Sequence, residues 1–256
     1  MNKLHLPGTV WLASDMHLGL QSPHTNRAFL SFLSQAAQQA DALVLGGDIF
    51  NVWVGDDSLD APPAWLAELL AALQHTRQSI PLYLCRGNRD FLMGQRLCDH
   101  IGATLLGDQT RLQTDAGTLL FSHGDEYCTD DHRYQLFRHW VRKPWVQRIF
   151  LLFSLARRQK WAGYARARSQ KANQNKRHEI MDVNADAVLA AFRRADVKVI
   201  VHGHTHRPAT HQLKDDAGTT LTRIVLPDWD YDTTPVRGGW LAIDATGYTP
   251  MTTATA

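Results

Sequence analysis

The sequence predicts a layered α/β protein interrupted by a basic helical insertion. Three observations predict it. Short apolar runs alternate with helix-like segments; each run leads into a polar or glycine-bearing turn; and His132 to His178 carries 13 Lys and Arg with no Asp or Glu. With 256 residues, 44% of them apolar, and no repeats, the chain can bury a core without staples. We read it as a single domain, 1–256, with the insertion at about 130–180.

In chain order, Thr9–Ser14, Ala42–Leu45 and Pro81–Leu84 read as buried strands, separated by helices over Asn26–Gln39 and Ala64–Thr76. Arg111–Thr114 and Thr118–Ser122 flank Asp115-Ala116-Gly117, a hairpin signal. The basic stretch is poor in β-branched residues and reads as helical. A helix over Ala185–Arg194 and a strand over Val197–His202 follow, then strands over Thr220–Val225 and Gly239–Ile243. In α/β sheets ligands collect beyond the carboxyl ends of strands, so the turns after these runs should share one rim.

Composition excludes several classes of protein. Three cysteines, Cys85, Cys98 and Cys128, are an odd number without zinc spacing and read as reduced thiols of a cytosolic protein. Met1–Gly8 lacks a basic region followed by an apolar one, so no signal peptide is expected. The longest strongly apolar run, Ile149–Ala156, is too short to cross a bilayer, which leaves a soluble or peripheral protein. The net charge of +2 hides a segregation: outside the basic stretch, 14 basic residues face all 25 acidic ones.

Five short motifs fall at predicted strand ends: Asp15-x-His17, Gly47-Asp48, Gly87-Asn88-Arg89-Asp90, His123-Gly124-Asp125 and Gly203-His204-Thr205-His206. Carboxylates mixed with imidazoles suit Mn²⁺, Fe²⁺ or Zn²⁺ better than Mg²⁺ or Ca²⁺. No cysteine joins them, which argues against a structural zinc. Asp15-x-His17 and His204-x-His206, on extended backbone, would each project two side chains to one side. Glycine beside Asp48, Asn88 and His204 permits close approach. One ion needs about four ligands, so Asp15, His17, Asp48, Asn88, His123, His204 and His206 suggest two ions sharing a carboxylate. A single such motif is ordinary sequence; all five in this order are not.

These motifs, in this order, resemble the calcineurin-like metallophosphoesterases over nearly the whole chain. Arg89 stands where most members have histidine. With GGDIF, GNRDF, GHTHRP, RIVLPDW (Arg223–Trp229) and GGWLAID (Gly238–Asp244), that departure resembles the UDP-2,3-diacylglucosamine pyrophosphohydrolases of lipid A biosynthesis, the LpxH family. The resemblance implies a β-sandwich flanked by helices, with a helical lid insertion. It implies two Mn²⁺ and water attack on the α-phosphorus of UDP-2,3-diacylglucosamine, giving UMP and 2,3-diacylglucosamine 1-phosphate. It also implies one metal on Asp15, His17, Asp48 and His206, and a second on Asp48, Asn88, His123 and His204, with Asp48 bridging. By the same resemblance the substrate is contacted by Asn88, Arg89, Asp131, Ser169, Asn173, Lys176 and His204. The basic, apolar insertion leads us to expect a peripheral protein at the cytoplasmic face of the inner membrane.

Chemistry then suggests roles for the catalytic candidates Asp48, Asn88, Arg89 and His123. A water held by two cations is acidic enough to serve as nucleophile near neutral pH. Asn88 can ligate metal and donate to a phosphate. Arg89, a permanently charged fork, suits a phosphate oxygen, the plain alternative being an ion pair with a neighbouring acid. Asp90 is expected to orient a histidine; His202, in an apolar run, is expected to be a buried, hydrogen-bonded histidine. The insertion interleaves its charges with Phe137, Trp140, Trp145, Phe150, Leu151, Leu152, Phe153, Leu155, Trp161 and Tyr164, a mixture suited to acyl chains and an anionic membrane surface. A nuclease or nucleotide phosphoesterase on the same metal core and a non-catalytic membrane scaffold are the competing readings. Arg89 and the apolar richness disfavour the first and the complete motifs disfavour the second, so no nucleic acid partner is expected.

Overall fold

In the computed structural model, residues 2–174 and 182–252 are described, 2 and 169–174 by backbone alone. Two six-stranded sheets pack face to face. The first has the order β1 (Asn2–His5), β6 (Gln109–Thr114), β7 (Gly117–Ser122), β8 (Val199–His202), β10 (Thr220–Val225), β9 (Ala209–Lys214). The second runs β12 (Gly247–Thr252), β11 (Gly239–Asp244), β2 (Val10–Ala13), β3 (Ala42–Leu45), β4 (Leu82–Leu84), β5 (Thr104–Leu105). Strands β2 to β5 are mutually parallel, as are β7, β8 and β10.

Alternation along the strands builds four layers. Val10, Leu12, Val44, Leu119, Phe121, Val201 and Ile243 face inward into the core between the sheets. Trp11, Ala13, Leu43 and Leu45 face outward and join Phe29, Phe32, Leu69 and Leu73. These come from α1 (Pro23–Gln39) and α2 (Ala64–Ser79), with α3 (Gln95–Ile101) beside them. On the far side Leu120 and Ile200 meet Val188, Ala191 and Phe192 of α7 (Ala185–Ala195). Being covered on both faces, the central strands β2, β3, β4 and β8 are near-continuous apolar runs, which is why they were visible in the sequence.

The described part of the basic stretch, residues 132–174, is helical as expected: α4 (His132–Val141), α5 (Pro144–Leu151) and α6 (Leu155–Gln174). All three lie in the connection between β7 and β8, which are parallel neighbours. Asp131 caps α4 by accepting the Tyr134 N–H at 3.2 Å. Several of the basic residues bind the insertion to the core. Arg138 and Arg142 bracket Asp108 at 3.2 and 3.1 Å, Arg138 also reaches buried Asp125 at 2.8 Å, and the Tyr134 hydroxyl donates to the same carboxylate. Arg158, itself buried, bonds Asp57 and the Val54 carbonyl. The apolar members are mostly turned outward: Leu152 is 84% exposed, Tyr164 71% and Leu136 62%. Among the described residues no helix is long and apolar enough to cross a membrane.

Candidate metal centre

The candidate residues follow β2, β3, β4, β7 and β8, so strand ends of both sheets meet at one rim. The turns are bonded to one another through backbone: Asp15 N–H to Gly47 O at 3.1 Å, His17 N–H to Asp48 O at 2.9 Å, Gly203 N–H to His123 O at 2.9 Å. Glycine is required where the turns touch. A Cβ on Gly87 would lie 2.1 Å from Asp48 Oδ1, and one on Gly203 2.1 Å from Asp15 Oδ2.

The expected extended backbone at Asp15-x-His17 and His204-x-His206 is not what forms. The strands stop at Ala13 and His202, and Asp15, His17, Asp48, His204 and His206 all have positive φ, between 50° and 68°. Among the described residues only one other non-glycine residue, Asp196, shares this conformation. Left-handed backbone is unfavourable for residues bearing a Cβ. Here it turns successive side chains into one small volume, a convergence that strand alternation was wrongly expected to provide.

The seven candidates form two neighbourhoods with Asp48 between them. In one, His206 Nε2 is 3.4 Å from Asp15 Oδ1, and His17 Nε2 is 3.3 Å from Asp48 Oδ2 and 4.0 Å from Asp15 Oδ1. In the other, Asn88 Oδ1 is 3.0 Å from His123 Nε2 and 2.9 Å from His204 Nδ1, while His123 Nε2 is 3.7 Å from Asp48 Oδ1. Ligand atoms of Asp15, His17 and His206 lie within 4.8 Å of one another, as do those of Asp15, Asp48 and His123.

This donor set fits divalent cations on two further grounds. Asp15 is fully buried, yet its Oδ1 accepts no hydrogen bond, although Oδ2 takes one from Ser14 at 2.7 Å and one from the His204 N–H at 2.9 Å. A buried carboxylate oxygen without a donor is expensive unless a cation serves it. The protonation balance agrees. Burial lowers His17, and burial together with the charge of His123 brings His204 down to about 4, leaving both neutral as ligation needs. Burial also opposes charge on His123, but Asp48, Asp15, Asp125 and Asp90 outweigh it and push it up to about 9. Burial by itself would raise Asp15 and Asp48, yet the neighbouring imidazoles, and at Asp48 also Arg89, hold both below the usual carboxylate range. The cluster thus draws positive charge toward its carboxylates.

Other expectations are refined or corrected. Arg89 pairs with Asp48, Nε to Oδ2 3.1 Å, the plain alternative for this residue; its Nη1 also donates to Asn51 Oδ1 at 3.1 Å. Arg166 of α6 donates to the same Asn51 side chain and to the Asn51 carbonyl, so the insertion reaches the site. Asp90 touches no histidine: its carboxylate accepts the N–H groups of Gly87, Asp48, Ile49 and Phe50, tying together the turns after β3 and β4. His202 is buried as expected, with Nδ1 2.8 Å from Gly203 O and Nε2 3.3 Å from Arg223. The side chains of Ser169 and Asn173, and all of Lys176, lie outside the described residues. The sequence reading missed Asp228, whose Oδ2 is 3.6 Å from His206 Nδ1; its signal was an acid in Pro227-Asp228-Trp229, shortly after the strand predicted over Thr220–Val225.

Comparison with known proteins places the geometry in context. A family model described as calcineurin-like phosphoesterase matches residues 8–208. A Bordetella parapertussis protein named UDP-2,3-diacylglucosamine hydrolase is 56% identical over 248 residues, covering 96% of each chain. One of the same name from Pectobacterium carotovorum is 46% identical over 222 residues, covering 86% of this chain and 90% of that one.

Proposed function

Because this chain belongs to the calcineurin-like phosphoesterase family, beside relatives named UDP-2,3-diacylglucosamine hydrolase, we propose that it hydrolyses the pyrophosphate of UDP-2,3-diacylglucosamine, releasing UMP and 2,3-diacylglucosamine 1-phosphate. The observation that carries the reading is the convergence of Asp15, His17, Asp48, Asn88, His123, His204 and His206 around a shared carboxylate.

Asp15, His17, Asp48 and His206 would hold one Mn²⁺, and Asp48, Asn88, His123 and His204 the other. Bound there, two such ions supply Lewis acidity toward a phosphoryl oxygen and toward water. The chain's own residues do the rest. His17 and His204 stay neutral and keep lone pairs available. The Asn88 amide offers a donor to a phosphate oxygen. Arg89, with its Nε 3.1 Å from Asp48 Oδ2, supplies a fixed, partly exposed charge and can grip the diphosphate once the charge of Asp48 is engaged elsewhere.

Helices α4 to α6 form the lid of this reading. They bond to the rim through Arg142 to Gly87 O (3.0 Å) and Arg166 to Asn51 O (2.8 Å), and present outward-turned Phe137, Trp140, Trp145 and Ile149. Apolar surface beside a cationic rim suits a ligand with two acyl chains and a diphosphate, and suits peripheral contact with the anionic cytoplasmic face of the inner membrane. Asp131, Ser169, Asn173 and Lys176 are its further substrate contacts, Asp131 doing so from a helix-capping position.

The test is product analysis of purified protein with Mn²⁺ on UDP-2,3-diacylglucosamine, UDP-N-acetylglucosamine and single-stranded DNA. Release of UMP from the diacylated substrate alone is expected. Cleavage of DNA or of the unacylated sugar nucleotide, with the lipid untouched, would keep the site and overturn the substrate.

A further inference from the structure

His206 stands between two carboxylates: its Nε2 is 3.4 Å from Asp15 Oδ1, and its Nδ1 is 3.6 Å from Asp228 Oδ2. Asp228 follows β10, and its side chain is only 6% exposed. The backbone carrying it is bonded into the site, because the next residue, Trp229, donates its N–H to Asp15 O at 3.0 Å and its indole N–H to Gly239 O at 3.0 Å. Arg237 Nε donates to Asp228 Oδ2 at 3.2 Å. Arg237 is itself fixed: it exchanges backbone hydrogen bonds of 2.8 and 2.9 Å with Asp230, and its Nη2 pairs with the Asp230 carboxylate at 3.1 Å.

A neutral imidazole carries one N–H and one lone pair, and the partner of one nitrogen decides the state of the other. His123 illustrates the device: its Nδ1 lies 3.0 Å from the Gly46 carbonyl oxygen while its Nε2 faces Asn88 and Asp48. His206 lies at the rim with its side chain 33% exposed, and Asp228 takes the place of that carbonyl. We propose that Asp228 is a positioning residue for the cation position at Asp15 and His206. With a cation bound there, it would hold the His206 ring as the Nδ1–H tautomer, leaving the Nε2 lone pair beside Asp15 Oδ1 free to ligate, and Arg237 holds Asp228. At 3.6 Å the two atoms stand just beyond hydrogen-bond range, and a cation on Nε2 would polarise the Nδ1–H and favour a shorter contact.

This inference rests on the cation-binding reading above, and the experiment separates the two. Chelator-stripped full-length protein is titrated with Mn²⁺ alone by calorimetry. Asp228→Ala is expected to weaken one of the two binding positions by about 10–100-fold and leave the other unchanged. Asp228→Asn, which keeps a neutral acceptor, is expected to restore part of the loss, and His206→Ala to abolish the same position. With saturating Mn²⁺ the kcat of Asp228→Ala should stay near wild type while the half-saturating Mn²⁺ concentration rises. Long-range ¹⁵N–¹H spectra of the wild type loaded with diamagnetic Zn²⁺ should show the His206 proton on Nδ1. A proton on Nε2 there, or an Asp228→Ala isotherm superimposable on wild type while His206→Ala loses its position, overturns the role of Asp228 alone. Wild-type binding by His206→Ala overturns the cation-binding reading with it.

Discussion

Asp48 has His17 and His123 on opposite oxygens, 3.3 and 3.7 Å away, and Arg89 at 3.1 Å from the oxygen facing His17. Removing the carboxylate takes a ligand from both proposed ions at once, so Asp48→Ala should abolish turnover even at saturating Mn²⁺. Activity near wild type in that assay would mean Asp48 is not shared. Arg89 differs in kind, since it is a cation and ligates nothing. Arg89→Ala is expected to lower kcat/KM by about tenfold or more, in line with the loss of a charge-assisted contact worth about 1.5–3 kcal/mol, with bound metal per chain unchanged. Metal analysis of the purified variant decides it, and lost metal would mean that Arg89 supports the ligands and does not hold phosphate.

The elements differ in how openly the sequence announced them. The central strands were legible because burial on both faces made them apolar throughout. The edge strands β9 and β12 were not: ATHQLK and GYTPMT leave most of their residues in solvent, and Pro250 sits within the second. β5 has two residues, β1 (NKLH) is mostly polar and offers no apolar run, and seven-residue α3 carries only three buried side chains. The motifs located the ligand turns, but their left-handed backbone, the role of Asp90 as an acceptor for two turns, and Asp228 depend on how distant segments meet. Helix α1 gives a further case. Its N-cap Ser22 makes no side-chain bond; the role falls to Asp232, 207 residues beyond Thr25, which accepts the His24 and Thr25 N–H groups at 3.0 Å each and the Thr25 hydroxyl at 2.7 Å. Asp232→Ala should cost about 0.5–2 kcal/mol in urea unfolding, as lost caps do. Burial works to raise Asp232, but these hydrogen bonds outweigh it and lower its pKa, so its contribution is present above the unfolded carboxylate value of about 4 and is lost as pH falls through the lower folded one. The gap between wild type and variant should therefore close in acid.

At the scale of the molecule, charge and apolar surface are gathered on one inserted unit, and the ligands on one rim. If the insertion meets a bilayer, full-length protein should sediment with phosphatidylglycerol vesicles and much less with neutral ones. Leu152→Glu, at a residue 84% exposed, should weaken that binding without lowering the melting temperature. Equal binding by variant and wild type would remove the bilayer from the account. The five left-handed ligand positions have a consequence for the chain's evolution in the laboratory. Backbone of that hand opposes any side chain with a Cβ by about 1–2 kcal/mol, and glycine escapes most of this. A library selected for resistance to heat or protease, with activity left unscreened, should collect glycine at 15, 17, 48, 204 and 206. Survivors of such a selection would be sturdier proteins that have forgotten their chemistry, and the dihedral angles already say where the forgetting would begin.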